Sequence, residues 1–283
     1  MNRKDKVYHG EYDPYAYWNG LFSSKVDLSI VGHPELGAYN QIAYHFRIVA
    51  LQESISDLLP ILHGLRVFEA AFGVGFYLKF YAESGVTQLT GVDLSSVAVA
   101  RAKEMFPQYH LFQHDITEPL PIPAKSFDLV TAIDVLYHIV DDLKWEHALD
   151  HLCSLIAPNG VFVFTDKFPK RQVYQTFPHV RRRPLEMYAK VLRGHGLTIK
   201  AIRPVFVFMD DPLPEGEPRW LAQTSFAQWR IVNKAIRVFG RWRSVRDVVG
   251  LSLGALQYPF EKMAVGLLPR SPNLEMVLAQ QSE

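Results

Sequence analysis

The sequence has only one cysteine, no long apolar run and no large excess of positive charge, and each of these absences excludes a class of protein. Its 283 residues include a single cysteine, Cys153, so no disulfide can form within the chain. No apolar run is long enough to cross a bilayer, and the start MNRKDKVYHGEYD lacks the apolar core of a secretion signal. The 30 Lys and Arg residues nearly balance the 29 Asp and Glu residues, so there is no general attraction to nucleic acid. We expect a cytoplasmic protein with no transmembrane segment and no nucleic-acid partner.

The chain does contain enough apolar material for a full core, with 48% hydrophobic and 21% charged residues. Strand patterns alternate with helix patterns, which is typical of a parallel sheet covered on both faces. The patterns predict a doubly wound α/β sheet of seven strands, with its ligand crevice at the carboxyl ends of the strands. Strands are predicted near 66–71, 88–93, 109–115, 127–134, 160–167, 197–207 and 273–281. Helices are predicted near 39–59, 76–84, 95–106, 142–156 and 184–194.

The stretch RVFEAAFGVGFYLKFYAESGVTQLTGVD, which begins at Arg66, is the most informative part of the chain. A buried strand pattern leads to Gly73 and Gly75, and a helix pattern follows. Two glycines let the backbone turn sharply and let a ligand approach its amides. The next strand pattern ends at Asp93, where a carboxylate can accept hydrogen bonds from both hydroxyls of a ribose. The stretch therefore predicts a ligand that contains adenosine.

Two residues indicate which adenosine cofactor is bound. A dinucleotide fingerprint needs a third small residue after the two glycines, and this chain has Leu78 there. Glu69 places an acid in the loop, where it would repel a phosphate but suit positively charged amino and sulfonium groups. The pattern favours S-adenosylmethionine.

The segment from Glu69 to Gly75, EAAFGVG, resembles the (E/D)-x-G-x-G-x-G motif of the class I S-adenosylmethionine-dependent methyltransferases, with Ala71 in place of the first glycine. Three further segments follow in the family's order: GVDLS, QHDI, and VLYH after FDLVTAID. The resemblance covers about residues 61–208 and resumes at the last strand. It implies a Rossmann-like sheet whose last strand is antiparallel and lies beside the fifth.

The resemblance also implies roles for single residues. Asp93 would bind the ribose, with Leu94 placed to pack on the adenine. Asp115 would meet the adenine amino group, followed by Ile116. Asp134 ends the fourth strand and could contact the cofactor or an acceptor hydroxyl, or act as a cap. The expected cofactor-binding set is Glu69, Ala71, Gly73, Gly75, Asp93, Leu94, Asp115, Ile116 and Asp134.

The acceptor side offers two candidate bases. Methyl transfer depends mainly on positioning, and a base is needed only where the acceptor must lose a proton. His138 follows the fourth strand and titrates near neutral pH, although it could instead hydrogen-bond the neighbouring loop. His179 lies in TFPHVRRRP, expected to be a loop, where Arg182 could bind an acceptor anion or simply be solvated. Tyr137 is a further candidate acceptor contact. No metal is expected.

Residues 1–60 are aromatic-rich and are expected to form a lid over the cofactor. A packing helix with aromatic anchors is the alternative for most of them. The candidate acceptor contacts in this segment are Tyr15, Trp18, Tyr39 and Tyr44.

Residues 209–271 are expected to form a helical insertion over the acceptor pocket, which leaves 61–208 and 272–283 as the core. The insertion carries a run of basic residues. Three explanations are open: a solvated helix face, binding of an anionic substrate, and contact with an acidic membrane surface. The run consists of Arg230, Lys234, Arg237, Arg241, Arg243 and Arg246.

Three classes of function remain open. The favoured one is methylation of a small molecule, at oxygen rather than nitrogen because a histidine and not an acidic-aromatic N-methylation motif occupies the acceptor side. N-methylation of a small molecule is the alternative within this class. The absence of N-P-P-[YF] after the fourth strand argues against methylation of adenine, cytosine or glutamine amides. The other two classes are different chemistry with the same fold and cofactor, and a binding protein without activity. The acceptor and the oligomeric state stay open.

Overall fold

A computed structural model describes residues 12–24, 31–56, 58–170, 172–213, 218–239 and 242–281. Its centre is a seven-stranded sheet, and a two-stranded hairpin lies outside it. The strands in chain order are β1 (Arg66–Ala70), β2 (Gln88–Asp93), β3 (His110–Gln113), β4 (Phe127–Ala132), β5 (Ile156–Asp166), β6 (Tyr174–Phe177), β7 (Val180–Arg182), β8 (Leu197–Pro204) and β9 (Glu275–Gln281).

The sheet has the order β3-β2-β1-β4-β5-β9-β8. The first five strands in this order are parallel to one another. β9 is antiparallel to both of its neighbours, β5 and β8. The predicted doubly wound, mostly parallel fold and the position of its last strand are confirmed.

Helices cover both faces of the sheet. Two of them begin with side-chain caps: the Ser95 hydroxyl accepts the Ala98 N–H at 3.2 Å, and the Asp141 carboxylate accepts the Lys144 N–H at 2.9 Å. The helices are α1 (Pro14–Ser24), α2 (Tyr39–Ile55), α3 (Phe76–Glu83), α4 (Ser96–Met105), α5 (Asp142–Ser154), α6 (Leu185–Gly194), α7 (Arg219–Phe239) and α8 (Arg243–Leu267).

Two hydrophobic clusters flank the sheet. The larger lies on the side of α2, α3 and α4 and includes Trp229 of α7. The other lies under α5 and α6, where the Trp145 and Tyr188 rings meet edge to face with centroids 4.8 Å apart. Among the described residues, no helix is both long and apolar enough to cross a membrane.

Several element bounds differ from the sequence prediction. α2 ends at Ile55 rather than near 59, β5 begins at Ile156 rather than near 160, and α1 was not predicted as a helix. The expected loop around His179 is the hairpin of β6 and β7. Arginine contacts hold this hairpin: Arg181 donates to Asp142 at 2.7 Å, and Arg182 pairs with Asp166 on β5.

Candidate active site

A cavity of about 1550 Å³ opens at the carboxyl ends of the central parallel strands. Most of the residues expected to bind cofactor or acceptor line it, although they come from separate parts of the sequence. The lining residues among them are Trp18, Tyr44, Ala71, Gly73, Asp93, Leu94, Asp115, Ile116, Asp134, Tyr137, His138, His179 and Arg182.

The glycine turn and the end of β2 are joined through one carboxylate. Gly73, at φ 52°, donates its N–H to Asp93 Oδ2 at 2.8 Å, and the Ser95 N–H donates to Oδ1 at 2.8 Å. Burial raises the pKa of Asp93 to about 6, although both amide hydrogen bonds favour its ionised form. Each carboxylate oxygen keeps a second lone pair. Asp93 is therefore fixed at the cleft and still able to accept ribose hydroxyls.

Ala71 and Gly75, two residues before and after Gly73, have different positions relative to the cleft. Ala71 lines the cleft with φ 58°, a left-handed conformation that costs a non-glycine residue about 1 kcal/mol. Gly75, at φ 77°, is the N-cap residue of α3, and a Cβ there would lie 3.0 Å from an atom of the Phe106 ring. Gly75 does not line the cleft, so the structure gives it a packing role in place of the predicted cofactor contact.

The prediction for Glu69 is not supported by its position. Glu69 lies in β1, is 0% exposed, and shares a hydrogen bond with the Thr131 hydroxyl instead of lining the cleft. Burial raises the pKa of its carboxyl to about 8. The residue is therefore neutral at pH 7, and it offers no charge to an amino or sulfonium group.

The end of the cleft after β3 carries polar atoms suited to a nucleobase. Asp115 Oδ1 accepts the Thr117 N–H at 2.9 Å, and Ile116 contributes apolar surface. Thr117 Oγ1 and His114 Nε2 are buried without a hydrogen-bond partner among the described residues. Buried polar atoms normally have partners, and because both residues line the cleft, a ligand bound there could supply them. Thr117 and His114 had not been predicted as site residues.

A buried ion pair lies between α2 and the end of β4. Arg47 Nε donates to Asp134 Oδ2 at 2.6 Å, and its guanidinium lies 4.7 Å from the Tyr44 ring centroid. Burial lowers the pKa of Arg47, but Asp134 raises it above its ordinary value, so the guanidinium stays charged. The Tyr77 hydroxyl also lines this part of the cleft, buried without a partner among the described residues. This pocket suits a ligand carboxylate, and only Asp134 and Tyr44 were predicted there.

The two candidate bases are neighbours. His138 Nδ1 donates to the main-chain oxygen of His179 at 2.8 Å, and the two rings stack with centroids 5.6 Å apart. A carbonyl oxygen only accepts, so Nδ1 carries the proton and Nε2 of the neutral His138 ring has the lone pair. The Trp18 ring packs edge to face against His138 at 4.8 Å. His138 is thus held in one orientation inside the cleft.

A second charged group lines the cleft near the end of β5. Asp210 accepts from Lys167 at 3.1 Å and from His33 at 2.7 Å. Burial would raise the pKa of Asp210, but Lys167 and His33 hold it well below its ordinary value. Burial lowers the pKa of Lys167. The arrangement joins residues that are far apart in the sequence, and no local motif signals it.

Arg182 is the predicted acceptor contact beside this group. It pairs with the buried Asp166, and its guanidinium lies 4.1 Å from the Tyr137 ring centroid. Arg182 therefore presents a buried, oriented cation to the cleft.

Two predicted acceptor contacts lie elsewhere. Tyr15 is 46% exposed on the outer side of α1 and does not line the cleft. Tyr39 lies where α2 packs against α8, and its hydroxyl donates a hydrogen bond to Gln257 Oε1 at 2.8 Å. It does not line the cleft. Within the described ranges, no group of three or more His, Cys, Asp or Glu side chains could hold a metal ion.

Residues 44–202, more than half of the chain, match the family model described as "Methyltransferase domain". This chain belongs to the class I S-adenosylmethionine-dependent methyltransferases. It is an enzyme of that family, and its cofactor is S-adenosylmethionine.

Two relatives of this methyltransferase illustrate the range of the similarity. A Haemophilus influenzae protein of uncharacterized function is 22% identical over 200 residues, which are 58% of this chain and 76% of that protein. A ubiquinone biosynthesis O-methyltransferase of Rhodopseudomonas palustris is 29% identical over 108 residues, which are 37% of this chain and 41% of that enzyme. The chain thus matches less than half the length of the O-methyltransferase.

The fold of the methyltransferase also resembles that of solved structures. The [4+2]-cyclase SpnF superimposes with a TM-score of 0.50 and 16% identity, covering 82% of this chain and 79% of that one. At this identity the similarity extends to the fold alone.

Proposed function

We propose that this methyltransferase transfers the methyl group of S-adenosylmethionine to a hydroxyl group of a small-molecule acceptor, such as a natural product or a sugar. The observation that carries the proposal is the 2.8 Å hydrogen bond from His138 Nδ1 to the His179 carbonyl oxygen. It places the proton of the neutral ring on Nδ1, so the basic lone pair is on Nε2 of a histidine that lines the cleft. An alcohol or phenol must lose its proton when it is methylated, and a base in this position meets that need.

Cofactor binding is assigned to the other residues of the cleft. S-adenosylmethionine supplies a methyl group that its sulfonium already activates. Asp93 would accept the ribose hydroxyls, and Asp115 would accept the adenine amino group. Arg47 would hold the methionine carboxylate beside Tyr77. These donors and acceptors match the ribose hydroxyls, the adenine amino group and the methionine carboxylate of the cofactor.

The acceptor would lie between His138 and the charged residues at the end of β5. Trp18 and Tyr137 provide flat apolar surfaces there, and α1 forms one wall of the cavity. We assign residues 1–60 to a lid and 209–271 to an insertion beside the pocket. The cytoplasmic location expected from the sequence stays a prediction.

Replacing His138 tests the role of the base. His138→Ala and His138→Gln should lower turnover by roughly 10²–10⁴-fold, since neither side chain can take a proton from a hydroxyl. S-adenosylhomocysteine release would be measured with a panel of phenols and aliphatic alcohols beside matched amines. Cofactor affinity, measured by calorimetry, should stay close to wild type because Asp93, Asp115 and Arg47 are unchanged.

His179→Ala is the matched control. It removes the second imidazole but keeps the main-chain carbonyl that orients His138, so turnover should fall by less than about tenfold. If His138→Gln instead turns over normally between roughly pH 6 and 9, the base is elsewhere or the acceptor is a nitrogen that attacks without one. Conversion of a substrate without release of S-adenosylhomocysteine would favour chemistry other than methyl transfer.

A further inference from the structure

Exposed apolar side chains concentrate on α7 and α8, the helices between β8 and β9. The described chain has 18 large hydrophobic residues with substantial exposure, and 12 of them lie between Trp220 and Leu267. This span is less than a fifth of the sequence. Scattered exposed apolar residues are normal, but a concentration of this kind marks an interaction surface.

The packing of α8 on α2 determines which face of α8 points outward. A Cβ on Gly250 would lie 2.9 Å from the main-chain nitrogen of Tyr39, and one on Gly254 would meet Ile42, so α8 lies close against α2. The opposite face carries an apolar series with mostly helical spacing. It consists of Val245, Val248, Leu256, Phe260, Met263 and Leu267, all exposed.

α7 has the same organisation. Ala222, Ser225, Trp229 and Ile236 are buried, whereas Trp220, Ile231 and Val238 are 63%, 69% and 65% exposed. Trp242, just before α8, is also 65% exposed. Each helix therefore places an apolar face outward, the reverse of an ordinary surface helix.

The charges beside these faces are positive. Arg230, Lys234 and Arg237 are exposed along one edge of the apolar face of α7, and Lys262 is exposed on α8. The two acids described on these helices accept hydrogen bonds from main-chain N–H groups of neighbouring segments. Glu261 is 0% exposed and accepts the Val207 and Phe208 N–H groups, and Asp247 accepts the Ala38 N–H at 3.2 Å. The described part of the surface is thus apolar and basic.

We propose that α7 and α8 dock this methyltransferase on the surface of an anionic lipid bilayer. Apolar side chains would enter the boundary between headgroups and acyl chains, while the flanking cations contact lipid phosphates. A second copy of this chain would present the same positive charge, so like charges would oppose a self-association through this face. Phe226 of α7 is 44% exposed and also lines the cleft, which would bring the active site close to the membrane.

Vesicle flotation of the full-length protein tests the proposal without any activity measurement. The probes are vesicles of phosphatidylcholine alone and vesicles with about a third phosphatidylglycerol. We expect binding to the anionic vesicles, weakened by high salt. The double variant Leu256→Glu with Phe260→Glu should lower the partition at least tenfold, since each apolar side chain contributes to insertion and each new acid is repelled. Arg230→Gln with Lys234→Gln should lower it by about fivefold per charge on anionic vesicles only.

The matched control is Ile61→Glu, which exchanges an equally exposed apolar residue, 70% exposed, outside the two helices. It should bind vesicles like wild type. Thermal melting shows whether each variant is folded. Equal binding by wild type and the folded Leu256/Phe260 variant would overturn the proposal. Absence of wild-type binding to the anionic vesicles would also overturn it. If sedimentation then shows a dimer that the Leu256/Phe260 variant dissociates, the face serves self-association instead.

Discussion

Asp93 makes cofactor affinity depend on pH. Burial raises the pKa of Asp93 to about 6. The ionised carboxylate can accept hydrogen bonds from both ribose hydroxyls, whereas protonation turns one of its oxygens into a donor. Binding below this pH must release the proton that the free enzyme holds. We therefore expect affinity for S-adenosylhomocysteine to be constant above about pH 7 and to fall by up to tenfold per pH unit below 6.

Calorimetry between pH 5 and 8 measures this dependence, and Asp93→Asn is the control. The amide should weaken binding at pH 8 by roughly 1.5–3 kcal/mol, the range for charge-assisted hydrogen bonds. It should also remove most of the loss below pH 6. A variant whose pH profile runs parallel to that of wild type would show that another group titrates.

The burial of Glu69 makes the stability of the fold depend on pH. An ordinary glutamate has a pKa of 4.5, and burial raises that of Glu69 to about 8. Between these values the unfolded chain releases a proton that the folded chain keeps, so the contribution to stability is lost as pH rises from 4.5 to 8. Glu69→Gln removes this linkage. The variant should gain stability over wild type between pH 5 and 8, measured by denaturant unfolding.

The same variant separates this role from cofactor binding. Its affinity for S-adenosylhomocysteine should stay within about twofold of wild type, because Glu69 is behind the cleft wall against Thr131. Loss of affinity in a folded Glu69→Gln protein would restore the cofactor contact expected from the sequence. The structure places the Glu69 side chain away from the cleft, and the sequence did not show this because β1 is buried on both sides. Its pattern therefore does not reveal which way residue 69 faces.

At the scale of elements, α1 packs on the sheet domain through Trp18 and the buried Phe22, and Asn19 adds a polar contact to α4. Asn19 Oδ1 accepts the Ser95 hydroxyl at 2.8 Å and lies 3.4 Å from the Val97 nitrogen, at the start of α4. If α1 is the lid, Asn19→Ala should speed dissociation of S-adenosylhomocysteine by roughly tenfold, the value of about one hydrogen bond. Stopped-flow fluorescence would measure it.

Ser23→Ala is the comparison for this change. Ser23 bonds only within α1 among the contacts described, to the Asn19 carbonyl at 2.6 Å, so its loss should leave dissociation unchanged. Equal rates for the two variants would mean that α1 is a fixed wall of the cavity.

The hairpin of β6 and β7 shows why some elements were invisible in the sequence. Arg181 and Arg183 reach Asp142 on one side, while Arg182 reaches Asp166 on the other. This is the alternation of a strand, but three successive arginines conceal it because the residues do not differ in polarity. β1, β2 and β4 were found because their apolar runs end at recognisable motifs.

The same distinction applies to the site. Gly73, Asp93 and Asp115 lie at or just after the ends of strands, so short motifs identify them. Arg47, Lys167 and Asp210 meet only in three dimensions, from α2, the end of β5 and the segment after β8. No spacing rule joins such positions, since each alone resembles an ordinary charged residue.

At the scale of the whole molecule, the sheet and the two long helices contribute different surfaces. The parallel strands bring the predicted cofactor residues together at one edge, whereas α7 and α8 pack on the core through their inner faces and expose apolar outer faces. Residues 219–267 interrupt the sheet only in the sequence, because β8 and β9 pair directly in space.

The strand order also bears on how the protein is made. β9 lies between β5 and β8 but follows both helices of the insertion in the chain. During synthesis on the ribosome, the edges of β5 and β8 that pair with β9 therefore stay unpaired until β9 emerges. The two helices with exposed apolar faces emerge before it. Open edges and exposed apolar faces are the features that lead nascent chains to aggregate. This protein presents both at the same moment, so its need for a chaperone, or for an early membrane contact, should be greatest just before β9 appears.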